Sequence, residues 1–538
     1  MIQRIRKQER ILGSLSILGL ILAALVSTLY HTSIDMTKNK AFTLSVAAKN
    51  LHDEIPESVR ISYFVSRSLA DRHPGPAAIE DFLMELESAN KGKIRVRTLD
   101  PAKDDTEAKQ FGLAPQQMQV VERSEQRVAL VYTGIVVEYL DRFETIPAIL
   151  STETLEYEIV KTVRRVISGR SFVAGLLVGD GDKTIADDYQ SLSGSLLRAG
   201  YEPREIRPAE AIDDDVDLVF VLGNDSLDRY DASFIDAFLM RGGKAFFALK
   251  GVTVDPERGL AASAVPAGGL LSILSAYGIE IQSKLVLDQS NLTVPFQTQS
   301  PTGSRQIQYV RYPHWVAVDY RFVDTSSPMT AGFAGLDLYW PSPMSIRPLS
   351  GVTYTELAKT TPKAWLQSRQ FATGPDEQAL YGLEKEESTG QYLLAVSASG
   401  SLPSAFSAGD IPYREGAASL PMARAKVSEP TRIVVVSSAD FLTDLMTMSD
   451  SGFNALFAVS AADWLCSRDD LIAIRSRALV DTRLNRIQDE GQKAFMIGLT
   501  YIVTLGLIPF GIIAFGLLRA SRRNRAERES RCRRGVES

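Results

Sequence analysis

Hydrophobic positions in this chain fall into two long blocks near its ends and a series of short periodic runs between them. Residues 11–30 read ILGSLSILGLILAALVSTLY, and residues 495–518 read FMIGLTYIVTLGLIPFGIIAFGLL. A helix rises about 1.5 Å per residue, so each block is long enough to cross roughly 30 Å of hydrocarbon, and the pattern predicts two transmembrane helices. The first block is longer than the apolar stretch of a signal peptide and no A-x-A cleavage site follows it, so it reads as an uncleaved anchor. Pro509 is expected to kink the second.

Between the blocks the periods shorten. RISYFVS (60–66) alternates apolar and polar, AIEDFLMELESAN (78–90) places apolar residues at 79, 82, 83 and 86, and KIRVRTLD (93–100) reads as a second strand. This β-α-β opening, followed by EAKQFGLAPQQMQVV (107–121), resembles a thioredoxin-like fold over 59–168. From 172 onward come near-continuous apolar strands, FVAGLLVG (172–179), DLVFVLG (217–223) and KAFFALK (244–250), separated by amphipathic helices at 189–201 and 233–243. Strands that are apolar on both faces belong to a parallel sheet covered on both sides. QYLLAVSA (391–398), RIVVVSSADF (432–441) and the helix FNALFAVSAADWLC (453–466) are expected to complete the same sheet. The predicted fold class is α/β: a two-span membrane-anchored protein with a thioredoxin-like domain lacking C-x-x-C. A Rossmann-like, amidotransferase-like doubly wound parallel sheet follows over 170–470, carrying a long insertion at about 255–385. Residues 400–430 read as a loop, and ALVDTRLNRIQDEGQKA (478–494) as an amphipathic stalk within 471–494.

Charge adds a topology. The chain has 538 residues, 65 of them acidic and 59 basic, for a formal charge of −6, which argues against a general nucleic-acid binder. That average conceals a partition. Arg4, Arg6, Lys7 and Arg10 against Glu9 give +3 before the first block, and eight arginines against Glu527, Glu529 and Glu537 give +5 after the second, leaving −14 between them. Basic flanks stay inside, so both termini, 1–10 and the Arg-rich tail 519–538, are assigned to the cytoplasm. The bulk of the chain then lies on the extracytoplasmic, periplasmic side of the inner (plasma) membrane, with the tail against lipid headgroups.

Catalytic signatures are missing from the sequence. Cys466 and Cys532 are too few to staple a framework, and four histidines argue against a His-rich metal site. Where a thioredoxin-like redox enzyme carries C-x-x-C, SRSLADRHPGP (66–76) stands, so no thiolate is present for disulfide exchange, and His73 reads as solvated. GDGD (179–182) is not G-x-G-x-x-G, and no phosphate loop, G-x-S-x-G elbow or H-E-x-x-H occurs. Asp180 and Asp182 have the chemistry of cation ligands but read as a solvated acidic turn, and Asp213, Asp214, Asp215 and Asp217 as a surface connection. His314 beside Trp315 reads as packing or a turn. No catalytic, cofactor or metal residue is assigned, and the chain is expected not to be an enzyme.

Directly after the first block, SIDMTKNKAFTLSVAAKNLHDEIPESVRISYFVS (33–66) carries the pattern Asp35-x-Thr37-x-x-Lys40-x-Phe42-Thr43-Leu44-Ser45 ahead of a helix and a strand. This resembles the opening of the GldG family, membrane-anchored auxiliary subunits of ABC-type transport systems named from gliding-motility proteins. The resemblance continues to NALFAVSAADWLCSRDDLIAIRSR (454–477), where the family pattern has an Asn, a Trp-Leu pair and a closing Ile-x-x-Arg. It implies a non-enzymatic auxiliary subunit that couples a separate ABC permease and a separate ABC ATP-binding subunit to substrate or envelope partners, with gliding motility or secretion as its setting. Membrane lipids would be a further partner, and Gly13, Gly19, Gly498, Gly506, Gly511 and Gly516 would let the spans approach the permease closely. Read from the residues, Asp35 and Thr37 suit caps at the membrane surface and Lys40 suits headgroups. Thr43 or Ser45 suits the N-cap of a helix at 46–55, and Phe42 and Leu44 are apolar anchors. Asp35, Thr37, Lys40, Phe42, Leu44 and Ser45 are thus the candidate partner or membrane-surface contacts. A stand-alone envelope scaffold or sensor is the alternative reading.

Overall fold

The computed structural model describes residues 43–466 apart from short interruptions, the longest at 376–387 and 417–424, together with Leu471, Ile474 and Gly498. Described first is a four-residue helix, Val46–Lys49, whose N-cap Ser45 accepts the Ala48 N–H at 3.0 Å. The first α/β unit follows: β1 (Val59–Val65), α1 (Pro74–Ala89), β2 (Ile94–Leu99), β3 (Thr133–Tyr139), β4 (Arg142–Ile146) and α2 (Leu155–Ser168). Its sheet runs in the order β2-β1-β3-β4, with β2 parallel to β1 and the other pairs antiparallel. Alternation puts Ile61, Tyr63 and Val65 of β1 on one face, packed with Ile79, Leu83 and Leu86 of α1 and with Ile159, Val160 and Val163 of α2. His73 is exposed, as expected, and its Nδ1 also accepts the Gly75 N–H at 3.1 Å and caps α1, with Pro74 in the first turn. Leu471 and Ile474 are buried in this same core, so the chain returns to its first unit after building the second.

The second unit contains β5 (Phe172–Val178), α3 (Gln190–Arg198), β6 (Tyr201–Glu205), β7 (Val216–Leu222), α4 (Arg229–Met240), β8 (Ala245–Ala248) and α5 (Gly269–Ala276). It continues through β9 (Asn291–Gln299), β10 (Arg305–Asp319), β11 (Gly335–Tyr339), β12 (Leu393–Gly400), β13 (Thr431–Val436) and α6 (Phe453–Leu465). Strands β6-β5-β7-β8-β13 lie side by side in parallel. Their apolar runs serve both faces. Leu218, Phe220 and Leu222 pack with Leu192 and Leu196 of α3 and Phe457 of α6, while Val219 and Val221 pack with Ile235, Phe238 and Leu239 of α4 and Ile273 of α5.

The expected fold class needs correction on two points, the direction of the strands and the membrane spans. The sheet is mixed, because β12 runs antiparallel to β13 and the strand Val352–Lys359 antiparallel to β12. An apolar run fixes burial but carries no direction, and β12 arrives after a long excursion from the opposite end. The 255–385 insertion carries its own strands: β9-β10-β11 form a three-stranded sheet, and Tyr312, Trp315, Tyr339 and Trp340 are buried in the main core. Finally, among the described residues no helix is long and apolar enough to cross a membrane. The longest described helix, α1, has 16 residues and buries only one face, and at about 1.5 Å per residue it is short of a bilayer core. The blocks 11–30 and 495–518 and the stalk region 471–494 lie outside the described residues, apart from Leu471, Ile474 and Gly498. What the structure describes is a mixed α/β protein, and the two-span anchor has no support among the described residues.

Candidate functional site

In open sheets of parallel strands, ligands bind beyond the carboxyl ends, where the strand order reverses. Here the chain steps from β5 outward to β6 and then back across to β7, so the reversal falls between β5 and β7. The loops at that point are Gly179–Asp182 and Gly223–Asp225, and both begin with a glycine for steric reasons. A Cβ on Gly179 would lie 2.3 Å from the Gly223 carbonyl oxygen, and one on Gly223, whose φ is +85°, would lie 2.1 Å from Asp180 Oδ1.

Five charged side chains meet there, drawn from the ends of four strands. Asp180, 1% exposed, follows β5; Asp225 follows β7; Lys250, 3% exposed, follows β8; and Asp440 follows β13. Lys183 joins from the turn after Asp180. Asp180 Oδ1 accepts the N–H groups of Asn224 at 3.0 Å and Asp225 at 3.5 Å, and Oδ2 accepts Lys250 Nζ at 2.6 Å and Lys183 Nζ at 3.0 Å. Lys183 Nζ also reaches Asp440 Oδ1 at 2.6 Å, and Lys250 Nζ lies 3.3 Å from Asp225 Oδ2. Asn224 locks the backbone of Lys250 by exchanging two hydrogen bonds with it.

The electrostatics follow from burial and pairing. Burial pushes the Asp180 carboxyl up, but Lys250 and Lys183 outweigh this and hold it below the ordinary value. In both lysines burial acts downward, and Asp440 with Asp180 outweighs it, so the ammonium groups are held above theirs. Asp225 is raised, by burial and by the neighbouring Asp180. Tyr189 lies fully buried beside the cluster, its hydroxyl without a hydrogen bond among the described residues and its pKa raised by burial.

Oxygens of Asp180, Asp182 and Asp225 come within 4.8 Å of one another, the spacing of a cation site. The donor set argues against that use. Both Asp180 oxygens already take two N–H donors each, so a cation would have to displace a lysine. The arrangement is chemically a staple: its two lysines offset all but one of its three carboxylate charges, and the ion pairs tie four strand ends together. Asp180 is therefore not a solvated turn residue. Its partner Lys250 stands 70 residues away, and no local pattern announces the pair.

The other sequence candidates fall elsewhere. Asp35, Thr37, Lys40 and Phe42 lie outside the described residues. Leu44 is 3% exposed and packs in the first unit's core, and Ser45 is a buried helix cap whose own N–H donates to Glu156 Oε1 at 2.6 Å. Asn454 is buried at the start of α6: its Oδ1 accepts the Asp337 N–H at 3.0 Å, and its amide donates to the Asp337 and Phe441 carbonyls at 2.7 and 2.9 Å. Trp464 accepts Arg432 on its carbonyl at 2.7 Å, with the guanidinium over its ring. His314 lies inside the aromatic layer, with its Nε2 3.1 Å from Gln367 Oε1. Cys466 is the C-cap of α6.

Residues 173–463, more than half of the chain, match an auxiliary-component family whose description reads ABC-type uncharacterized transport system. The chain belongs to this family. Residues 38–138 match a second family, described as a domain of unknown function. An uncharacterized protein of Borreliella burgdorferi is 24% identical over 502 residues, covering 92% of this chain and 94% of its own length. Two solved structures share lower similarity. PurLQS from Thermotoga maritima is 13% identical with a TM-score of 0.20, over 42% of this chain and 82% of that one. A putative ThuA-like protein from Parabacteroides merdae is 11% identical with a TM-score of 0.25, over 56% of this chain and 91% of that one. At those TM-scores neither likeness carries a conclusion about fold or function.

Proposed function

We propose that the chain is a non-enzymatic auxiliary subunit of an ABC-type transport system, working beside separate permease and ATP-binding chains. Family membership over 173–463 is the observation that carries this reading. The interlocked cluster at the strand ends supports its non-enzymatic part, because the charged side chains at the position where such sheets take ligands are already paired with one another. Within the family, the pattern from Asp35 to Ser45 favours a GldG-like member. In this reading the folded body is held at the outer face of the plasma membrane by its transporter partners. The test is affinity purification of the tagged full-length protein from its native host in mild detergent, followed by mass spectrometry. An ABC ATPase and a permease should co-elute in a fixed ratio, and eluates containing neither would overturn the proposal.

A further inference from the structure

The ribbon made by β9 and β10 stands out by charge and by what it leaves uncovered. From Gln289 to Val318 the chain runs thirty residues without an Asp or Glu, while carrying Arg305 and Arg311, in a protein with 65 acidic residues. One face of the ribbon is internal: Val294, Tyr312 and Val316 are buried in the main core, with Leu292 and Phe296 packed against it. The register sets Pro295 opposite Tyr309 and Gln297 opposite Ile307 on the other face. There Ile307 is 63% and Tyr309 71% exposed, neighbours two residues apart on one side of a strand.

The ribbon also has an open edge. β11 pairs with β10 only from Trp315 to Asp319, so among the described residues no strand pairs with β10 between Gln306 and Arg311 on that side. On the far side β9 is blunted by Pro295, which lacks an N–H to donate. An unpaired edge beside an exposed aromatic and an exposed aliphatic side chain is the geometry used for strand addition, in which backbone hydrogen bonds supply affinity and alternate side chains supply selectivity.

We infer that β10 is the docking edge for an extended, acidic segment of a partner protein. The segment adds as a strand in line with β11, sets apolar side chains on Tyr309 and Ile307, and meets the acid-free, arginine-bearing ribbon with its carboxylates. Charge complementarity selects this occupant over a basic one. The inference stands on the ribbon alone, whether or not the chain assembles with transporter subunits.

The test uses the full-length protein and a fluorescein-labelled twelve-residue peptide of alternating Glu and Val, read by fluorescence anisotropy. The peptide should bind, the Lys-Val counterpart should not, and 1 M salt should weaken binding. Replacing both Tyr309 and Ile307 by Ala should weaken it about tenfold. Both side chains are exposed, so the variant should keep the thermal transition of the parent, which calorimetry checks. Methylating alternate backbone nitrogens of the Glu-Val peptide should abolish binding, and equal binding of the methylated peptide would overturn the proposal. So would equal binding of the Lys-Val peptide, binding to phosphatidylserine vesicles without binding to the peptide, or a homodimer in light scattering that the double variant dissolves.

Discussion

His314 illustrates what burial does to a single titratable group. Its ring lies wholly inside the aromatic layer, where burial pushes its pKa down to about 4, the hydrogen bond with Gln367 acting weakly in the other direction. The unfolded chain therefore binds a proton below about pH 6.5 that the folded chain refuses until about pH 4. Stability contributed by the neutral ring is complete above pH 6.5 and declines as the pH falls through that window. Comparing denaturation at pH 7 and pH 4, the parent should lose on the order of 3 kcal/mol more than a His314→Gln variant. A parallel loss in both would show that the ring is hydrated. Lys250 makes the complementary case for a charge that must stay. Lys250→Ala leaves Asp180 and Asp225 facing each other in a buried site with one lysine fewer, and urea unfolding should register a cost of about 3–5 kcal/mol. Pairing Lys250→Met with Asp180→Asn should recover most of it, as expected when an ion pair ties strands together without performing chemistry.

At the scale of elements, periodicity located strands and helices well and oriented them poorly. β1 and β2 lie within a residue or two of the segments read from alternation, as do β5, β7 and β8 from their apolar runs, while α1 begins four residues before the segment read from the 3.6-residue repeat. Direction was hidden, since the same buried run serves a parallel or an antiparallel neighbour, and β12 proved antiparallel. The density of Pro, Gly, Ser and Thr around 255–385 masked β10, whose shift of register between Tyr312 and Val316 lets Tyr312 and Trp315, three residues apart, both enter the core. The segment after α6 is the clearest case of an element whose role is set by distant neighbours. Leu471 and Ile474 complete the core of the first unit, although α6 itself packs on the second. Leu471→Ala should therefore cost about 2–5 kcal/mol. Hydrogen exchange should report the loss in β1 and β3, and a loss confined to β7 and β8 would contradict this packing.

For the molecule as a whole, the overall charge of −6 carried little information, while its distribution along the chain pointed to the acid-free ribbon only once the fold aligned those residues on one surface. The site at the strand ends was half legible. A turn rich in Gly and Asp after a buried strand marked the place, but Lys250 and Asp440 are separated from it by 70 and 260 positions, and only the sheet order brings them together. The same long-range closure bears on how the chain is made. A ribosome that has released the first 168 residues has delivered every strand of the first sheet, yet the two side chains that finish its core are still some 300 codons away. At roughly 5–20 residues per second that interval lasts about 15–60 s. During that time the first unit presents an unfilled apolar face, and the second unit, whose core among the described residues draws on nothing beyond Cys466, is positioned to finish folding first.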